Sequence, residues 1–249
     1  MLRYLWSRGL RSLLTLFLVT GFAFFILRLS GDPAMMILSA DAPPEAIAAF
    51  RKSWGLDAPL WQQFLGYLLN IFQGNFGLSM RNGAPAMDLV LEAIPATLAI
   101  TIPAFFLKIL MGVPAGVTAS LYRDSWIDRL IMSLSVAGHT LPSFVFGLLL
   151  VLLFAVSLGW LPSGGFTSGW HALLPIVTLS VSGAAVLARY TRSAMLEVLG
   201  QPYIRAASAK GLTHTQVILD HALPNAAMAI VTITGLMMGS LIAGAVVVE

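Results

Sequence analysis

Tyr203 to Asn225 reads YIRAASAKGLTHTQVILDHALPN and lies between two long apolar runs, Leu173 to Ala188 and Ala226 to Val248. It carries Arg205, Lys210, Asp220 and His221 in a chain where charge is scarce. Ala206 to Lys210 favours helix, and Gly211 is a natural place for that helix to stop or bend. A second short helix can start at Thr213 or Thr215, whose hydroxyls can cap it. Pro224 ends or kinks that second helix, or opens the next one. The stretch therefore predicts a short helix-turn-helix outside the bilayer, with small residues where a partner's backbone can approach. A featureless polar loop between two membrane helices is the plainer alternative.

The rest of the chain is too apolar for an ordinary soluble domain. Hydrophobic residues make up 58%, charged residues 10%, and the mean hydropathy is +0.86, where soluble domains carry roughly a quarter charged residues. The basic balance is not a nucleic-acid footprint, because Lys and Arg are scattered rather than clustered. Cysteine is absent, which removes disulfides and thiolate metal sites.

Five membrane spans are expected, and the fold class is all-α integral membrane. Arg3, Arg8 and Arg11 precede the first, Ser12 to Leu29. Basic residues followed by an apolar run resemble a signal peptide, but no small-x-small site follows, so this reads as a retained span that also targets the chain. Residues 1–29 form a tail and first span, 30–95 an extracytoplasmic segment, and 96–249 a core with the loop at 195–225. Within the segment, Pro43-Pro44-Glu45 starts a short helix that Gly55 stops. Leu60 to Phe72 places apolar residues at helical spacing, is too short to span, and reads as an interfacial or packed amphipathic helix. The second span, Ala96 to Ser120, holds Lys108. A mid-span ammonium is costly; Lys108 is either a pathway or pairing residue, or one that snorkels or meets a carbonyl. Gly112 and Gly116 in the same span, and Gly235 and Gly239 in the fifth, are small-xxx-small pairs suited to close helix packing. The third span, Leu130 to Leu158, contains Thr140, Pro142 and Ser143, which predict a kink. His139 beside it is a substrate contact or a hydrogen-bonded structural histidine. Ala172 to Ala194 and Ala226 to Val248 complete the set.

Arg and Lys near the span ends place the N-terminus, the Tyr122 loop and the Arg189 to His221 loop on the cytoplasmic side, and Glu249 outside. No GxxxxGK[ST], HExxH or GxSxG run occurs, and the four histidines are dispersed. The chain is thus expected to have no catalytic residues, no metal site and no nucleotide pocket of its own.

The stretch at 205–224 resembles the EAA loop of ABC-importer permeases: Glu-Ala-Ala, three residues, Gly, nine residues, Ile, one residue, Leu-Pro. Ala206, Ala207, Gly211, Leu223 and Pro224 fall at that spacing, with Arg205 in place of the Glu and His221 in place of the Ile. RAASAKGL is similar to the dipeptide, oligopeptide and nickel branch. So are Gly55-Leu56-Asp57 with Pro59-Leu60, and Gly74, Phe76-Gly77 and Ser79. The resemblance implies a type I importer permease fold and a bacterial or archaeal inner-membrane location. It implies that Arg205, Ala206, Ala207, Lys210, Gly211, Leu223 and Pro224 form a coupling helix that docks on a cytoplasmic ATPase. It further implies a second permease subunit, two ATPase subunits holding ATP and magnesium, and an extracytoplasmic solute-binding protein for peptides or metal chelates. Members of this branch usually have six spans, so the resemblance implies that a sixth is missing. The competing readings are an ATPase-independent secondary transporter or channel, which calls for an inverted repeat and mid-span carboxylates, and an intramembrane enzyme, which calls for a convergent nucleophile and base.

Overall fold

In hydrocarbon every backbone N–H and C=O must be satisfied within its own segment, so long apolar runs become helices. The computed structural model describes residues 2–29, 31–38, 42–165 and 168–248. Among these the chain is helices and turns, with one isolated β-bridge between Leu78 and Pro85. It divides into two compact units, Met1–Glu92 and Ala93–Glu249.

The first unit begins with α1 (Leu2–Leu29), which runs ahead of the expected span because the Leu and Arg residues that make up most of Leu2 to Arg11 are good helix formers. Asp32 lies just ahead of the next helix. Its carboxylate accepts from the backbone N–H of Ala34 at 3.0 Å, at the start of α2 (Pro33–Leu38), and from Nε of Arg51 at 2.8 Å and the adjacent NH2 group. Arg51 belongs to α3 (Pro44–Ser53), which opens on a proline that needs no N–H partner. The Asp32–Arg51 tie thus fastens α3 to the start of α2. Next comes α4 (Leu60–Phe72), whose Phe64 ring lies over Gly21 of α1.

The Arg51 guanidinium beside Asp32 holds that carboxyl below the usual aspartate range. A depressed folded-state value contributes stability that is complete above about pH 4 and declines as pH falls through the lowered value. Limited proteolysis between Gly31 and Leu60 is therefore expected to accelerate only in strong acid. Arg51→Gln should speed that proteolysis already at neutral pH and remove most of its acid dependence, because Asp32 then has no lowered value to titrate through.

The boundary between units falls inside α5 (Ala86–Leu121), a helix of 36 residues that contains Pro95, Pro103 and Pro114. It starts ten residues before the expected span, with Asp88 in its first turn, where a carboxylate favours the helix dipole. Then come α6 (Trp126–Thr140) and α7 (Ser143–Leu150), which continues as π-helical turns over Val151–Ser157. The kink expected at Thr140 to Ser143 is a 99° break. Pro142 cannot donate to the helix and forces Leu141 into an extended conformation, with φ −71° and ψ 123°. Each limb is 15 residues, about 22 Å, shorter than the roughly 30 Å hydrocarbon core.

The unit closes with α8 (Gly169–Leu199), α9 (Pro202–Ala209), α10 (His214–Gln216), which continues as π turns over Val217–Ala222, and α11 (Leu223–Val248). Among the described residues, four helices are long and apolar enough to cross a membrane, and the bent α6–α7 pair makes a fifth crossing if it counts as one. Glu249, expected on the outer side, lies outside the described residues.

Two clusters form the core of this unit. One joins Ile100 and Ala104 of α5 to Ala172 and Leu179 of α8. The other gathers Leu187 and Met195 of α8, Ile204 and Ala207 of α9, Val217, Ile218 and Ala222 of the π turns, and Ala226 and Ile230 of α11. The second cluster decides how the polar loop is held.

Candidate functional site

The loop between α8 and α11 is built on its own apolar residues. Gln201 is extended, and Pro202 opens α9 with its fixed φ. Ile204 and Ala207, three residues apart, share the buried face and enter the second cluster, while Tyr203, Arg205, Ala206 and Lys210 stay exposed. The chain reverses at Gly211, whose φ of +84° lies in the left-handed region where a Cβ is strained. Thr213 then starts α10 with a capping box. Its hydroxyl accepts from the Gln216 backbone N–H at 3.4 Å, and the Gln216 side-chain oxygen accepts from the Thr213 N–H at 2.9 Å.

Val217, Ile218 and Ala222 bury the inner face of the π turns, leaving Leu219 and Asp220 outside. Pro224 is the second residue of α11, which follows the π turns without a break, so it neither ends the second helix nor opens a separate one, and its missing donor falls inside one helical run from His214. Asn225 donates its side-chain amide to the His221 carbonyl at 2.6 Å, and Leu223 packs against the second cluster. The loop is thus a seated helix-turn-helix. It is apolar underneath, and on top it offers Tyr203, Arg205, Ala206, Lys210 and Leu219.

Two features fix the helix that carries it. Asp128, in the first turn of α6, takes a two-pronged bond from Arg192 of α8: Nε to Oδ1 at 2.7 Å and NH2 to Oδ2 at 2.6 Å. The same carboxylate accepts from the Asp124 backbone N–H at 3.0 Å, which pins the α5–α6 turn. The Asp128 side chain is only 4% exposed and that of Arg192 25%, so the fork is shielded from competing water.

The second feature is a seam of close contact between α5 and α8. A Cβ on Gly112 would lie 2.9 Å from the Ala184 carbonyl oxygen, and one on Gly116 would lie 2.5 Å from the Ala188 carbonyl oxygen and 2.5 Å from Cβ of Thr191. Both glycines are buried. One turn further along the seam, Ser180 donates to the Ala104 carbonyl at 3.2 Å. Lys108 lies in the same row. Its side chain is packed against Gly183, where a Cβ would meet Lys108 carbons at 2.9 Å. That glycine makes the room in which the aliphatic stem is buried.

The remaining candidates do not converge with these. His139 is exposed on α6. Among the described residues, nothing lies within 4 Å of a Cβ placed on Gly235 or Gly239 of α11, so that pair faces no neighbour there. Sequence reading missed the Asp128–Arg192 fork and the facing residues Ala184 and Ala188. The latter carry the same small-xxx-small spacing as the glycines they meet, which was the available signal.

Residues 112–249 match the family described as binding-protein-dependent transport system inner membrane component. The chain belongs to that family. Residues 1–101 match the N-terminal region described for the same membrane components. Over its full length the chain is 42% identical to the glutathione transport system permease protein GsiC of Escherichia coli strain K12, covering 82% of that protein. The figures are the same for GsiC of Shigella dysenteriae serotype 1. Among solved structures, the inward-facing MetNI methionine ABC transporter is similar at 25% identity with a TM-score of 0.46, over 63% of this chain and 74% of that one.

This importer component is therefore an all-α inner-membrane permease subunit of a binding-protein-dependent ABC importer. It works with a solute-binding protein and ATPase subunits and is not itself an enzyme.

Proposed function

We propose that the exposed face of α9 and the turn at Gly211 form the coupling element of this permease, and that it docks on a cytoplasmic ATPase. The observation that carries this reading is the split between faces. Ile204 and Ala207 tie α9 to the core of α8 and α11, so a push on Arg205, Ala206 or Lys210 is transmitted to two membrane helices at once. In this reading the N-terminus is cytoplasmic. ATP and magnesium are bound by two ATPase subunits and not by this chain. The pathway is completed by a second, non-identical permease subunit, for which the open surface at Gly235 and Gly239 is a packing site. ATP binding shifts the inward-open to outward-open equilibrium only by its differential affinity for the two states.

The cargo we propose is a small peptide or peptide-like molecule, in keeping with relatives named for glutathione transport. A nickel chelate remains the second cargo of the branch, without an observation in its favour. An ATPase-independent transporter loses its footing because the family is binding-protein-dependent.

Ala206→Asp tests the coupling role without touching the core, since Ala206 is exposed. In proteoliposomes with the full importer, the variant is expected to insert normally and lose cargo-stimulated ATP hydrolysis and uptake. Unchanged uptake would refute the docking role.

A further inference from the structure

The end of α1, the start of α2, Arg51 of α3 and the turn into α4 border an open cavity of about 460 Å³, within the range of roughly 300–1,000 Å³ usual for small-molecule sites. All of its lining belongs to the first unit. Four charged side chains line it: Arg28, Asp32, Arg51 and Asp57. Two of these are engaged with each other, since Arg51 donates to Asp32 through Nε at 2.8 Å and through the adjacent NH2 group. The other two are not. Among the described residues neither Arg28 nor Asp57 forms an ion pair. Opposite charges thus border one cavity without meeting across it.

Both unpaired groups are held in place. The Arg28 guanidinium carbon lies 5.5 Å from the centre of the Phe24 ring. That cation–π contact steadies one face of the fork and leaves its N–H edges able to take a carboxylate with two bonds. Asp57 is positioned by Gln63, whose side-chain amide donates to the carbonyls of Leu56 at 3.1 Å and Ala58 at 2.7 Å, the residues on either side of it. The turn that carries the carboxylate is thereby clamped to α4. Those two bonds also fix which way round the amide sits, and the Gln63 oxygen is buried with no partner among the described residues. The Asp57 side of the cavity is therefore rich in acceptors and short of a donor, while Arg28 offers donors alone.

The lining carries no net charge, with Arg28 and Arg51 set against Asp32 and Asp57. A free anion would gain Arg28 but meet Asp57, and a free cation would meet the reverse. A molecule with a carboxylate at one end and an ammonium at the other satisfies both. Leu29, Leu56 and Leu60 supply further contact, and apolar walls discriminate only weakly between side chains.

We infer that this cavity binds a short peptide by its two free termini, the carboxylate on Arg28 and the ammonium on Asp57 beside the Gln63 oxygen. The inference rests on the peptide cargo proposed above and gives that cargo a station on this chain. The cavity lies at the end of α1 opposite Arg3, Arg8 and Arg11. In the orientation proposed above that is the outer side, where a solute-binding protein would release its load.

Ala-Ala is the probe, added to the assembled importer in lipid nanodiscs without its solute-binding protein, with saturation-transfer NMR reading the contact. The parent should bind it, and Arg28→Gln and Asp57→Asn should each weaken binding about tenfold or more. Asp57 is exposed, so Asp57→Asn is expected to keep the parent's fold, which limited proteolysis checks. N-acetyl-Ala-Ala should bind the parent weakly and lose nothing more in Asp57→Asn. Ala-Ala amide should bind weakly and lose nothing more in Arg28→Gln. A general loss of structure would not match each end of the ligand to one residue. No binding by the parent, or parent-like binding in Asp57→Asn, would overturn the inference. Uptake by the same importer in proteoliposomes, with its solute-binding protein, separates this from the cargo reading. Dipeptide uptake alongside unchanged binding in both variants would overturn the cavity and keep the peptide cargo. Binding that depends on Arg28 and Asp57 without dipeptide uptake would keep the cavity and overturn the cargo.

Discussion

Replacing Gly116 with leucine is expected to break the α5–α8 seam and to cost this permease about 3 kcal/mol or more, the upper range for overpacking a close-fitting core. The added Cβ alone would stand 2.5 Å from a backbone carbonyl oxygen and 3.0 Å from the Arg192 backbone nitrogen. Neither atom can swing away as a side-chain tip could, so the helices must separate. Separation undoes the close backbone approach that holds helices together in a membrane, where lipid is as apolar as the interface. It also moves α8, and with α8 the Arg192 fork and the seat of α9. Thermal unfolding of the purified permease in detergent measures this. Gly116→Leu should unfold many degrees below the parent, whereas Gly9→Leu, exposed on α1 with nothing within 4 Å of the added Cβ, should not. Equal melting of the two variants would show that the seam does not hold the fold.

Arg192→Met is expected to be the second most damaging change. It leaves the Asp128 carboxylate, 4% exposed, without its counter-charge, although the Asp124 N–H still donates to it. Removing one member of a shielded pair costs about 3–5 kcal/mol, because the survivor stays desolvated and unpaired. Asp128→Asn should cost less, since the Arg192 side chain is 25% exposed and can turn toward water. The double variant Asp128→Leu with Arg192→Met should recover part of the loss of Arg192→Met alone, because it buries no charge. Arg192→Lys tests the geometry: it keeps the charge but cannot form both prongs. Full stability in Arg192→Lys would show that charge alone matters. A double variant worse than both single ones would contradict the account of the fork.

The loop was legible in the sequence because its signals are local. Gly211 and the capping Thr213 each act within one turn of chain, and their chemistry does not depend on distant residues. The spans were legible for a related reason, since hydrocarbon demands long uncharged helices wherever they pack. Pairing and angle could not be read. Gly112 with Gly116 and Gly235 with Gly239 carry the same spacing, yet among the described residues only the first pair meets a neighbour, because spacing permits close approach without naming the partner. Pro142 announced a break but not its 99°, which is set by where α6 and α7 rest on α8. Lys108 read as a costly mid-span charge, and only the facing Gly183 shows how its stem is accommodated. Asp128 and Arg192 are 64 residues apart, and nothing local links them. α5 starts at Ala86, ten residues ahead of the expected span, because helix formers such as Met87, Leu89, Leu91 and Glu92 carry the helix beyond the uncharged run.

If the outer face of α9 is the handle on which a separate ATPase pulls, site-directed crosslinking in a chain without native cysteine shows it most directly. Ala206→Cys, exposed, should crosslink to the ATPase subunit in the assembled importer, with a yield that changes on ATP binding, while Ala207→Cys, buried against α8 and α11, should not. Labelling of Ala206→Cys by an impermeant reagent added outside intact cells would contradict that role, as would equal crosslinking at both positions.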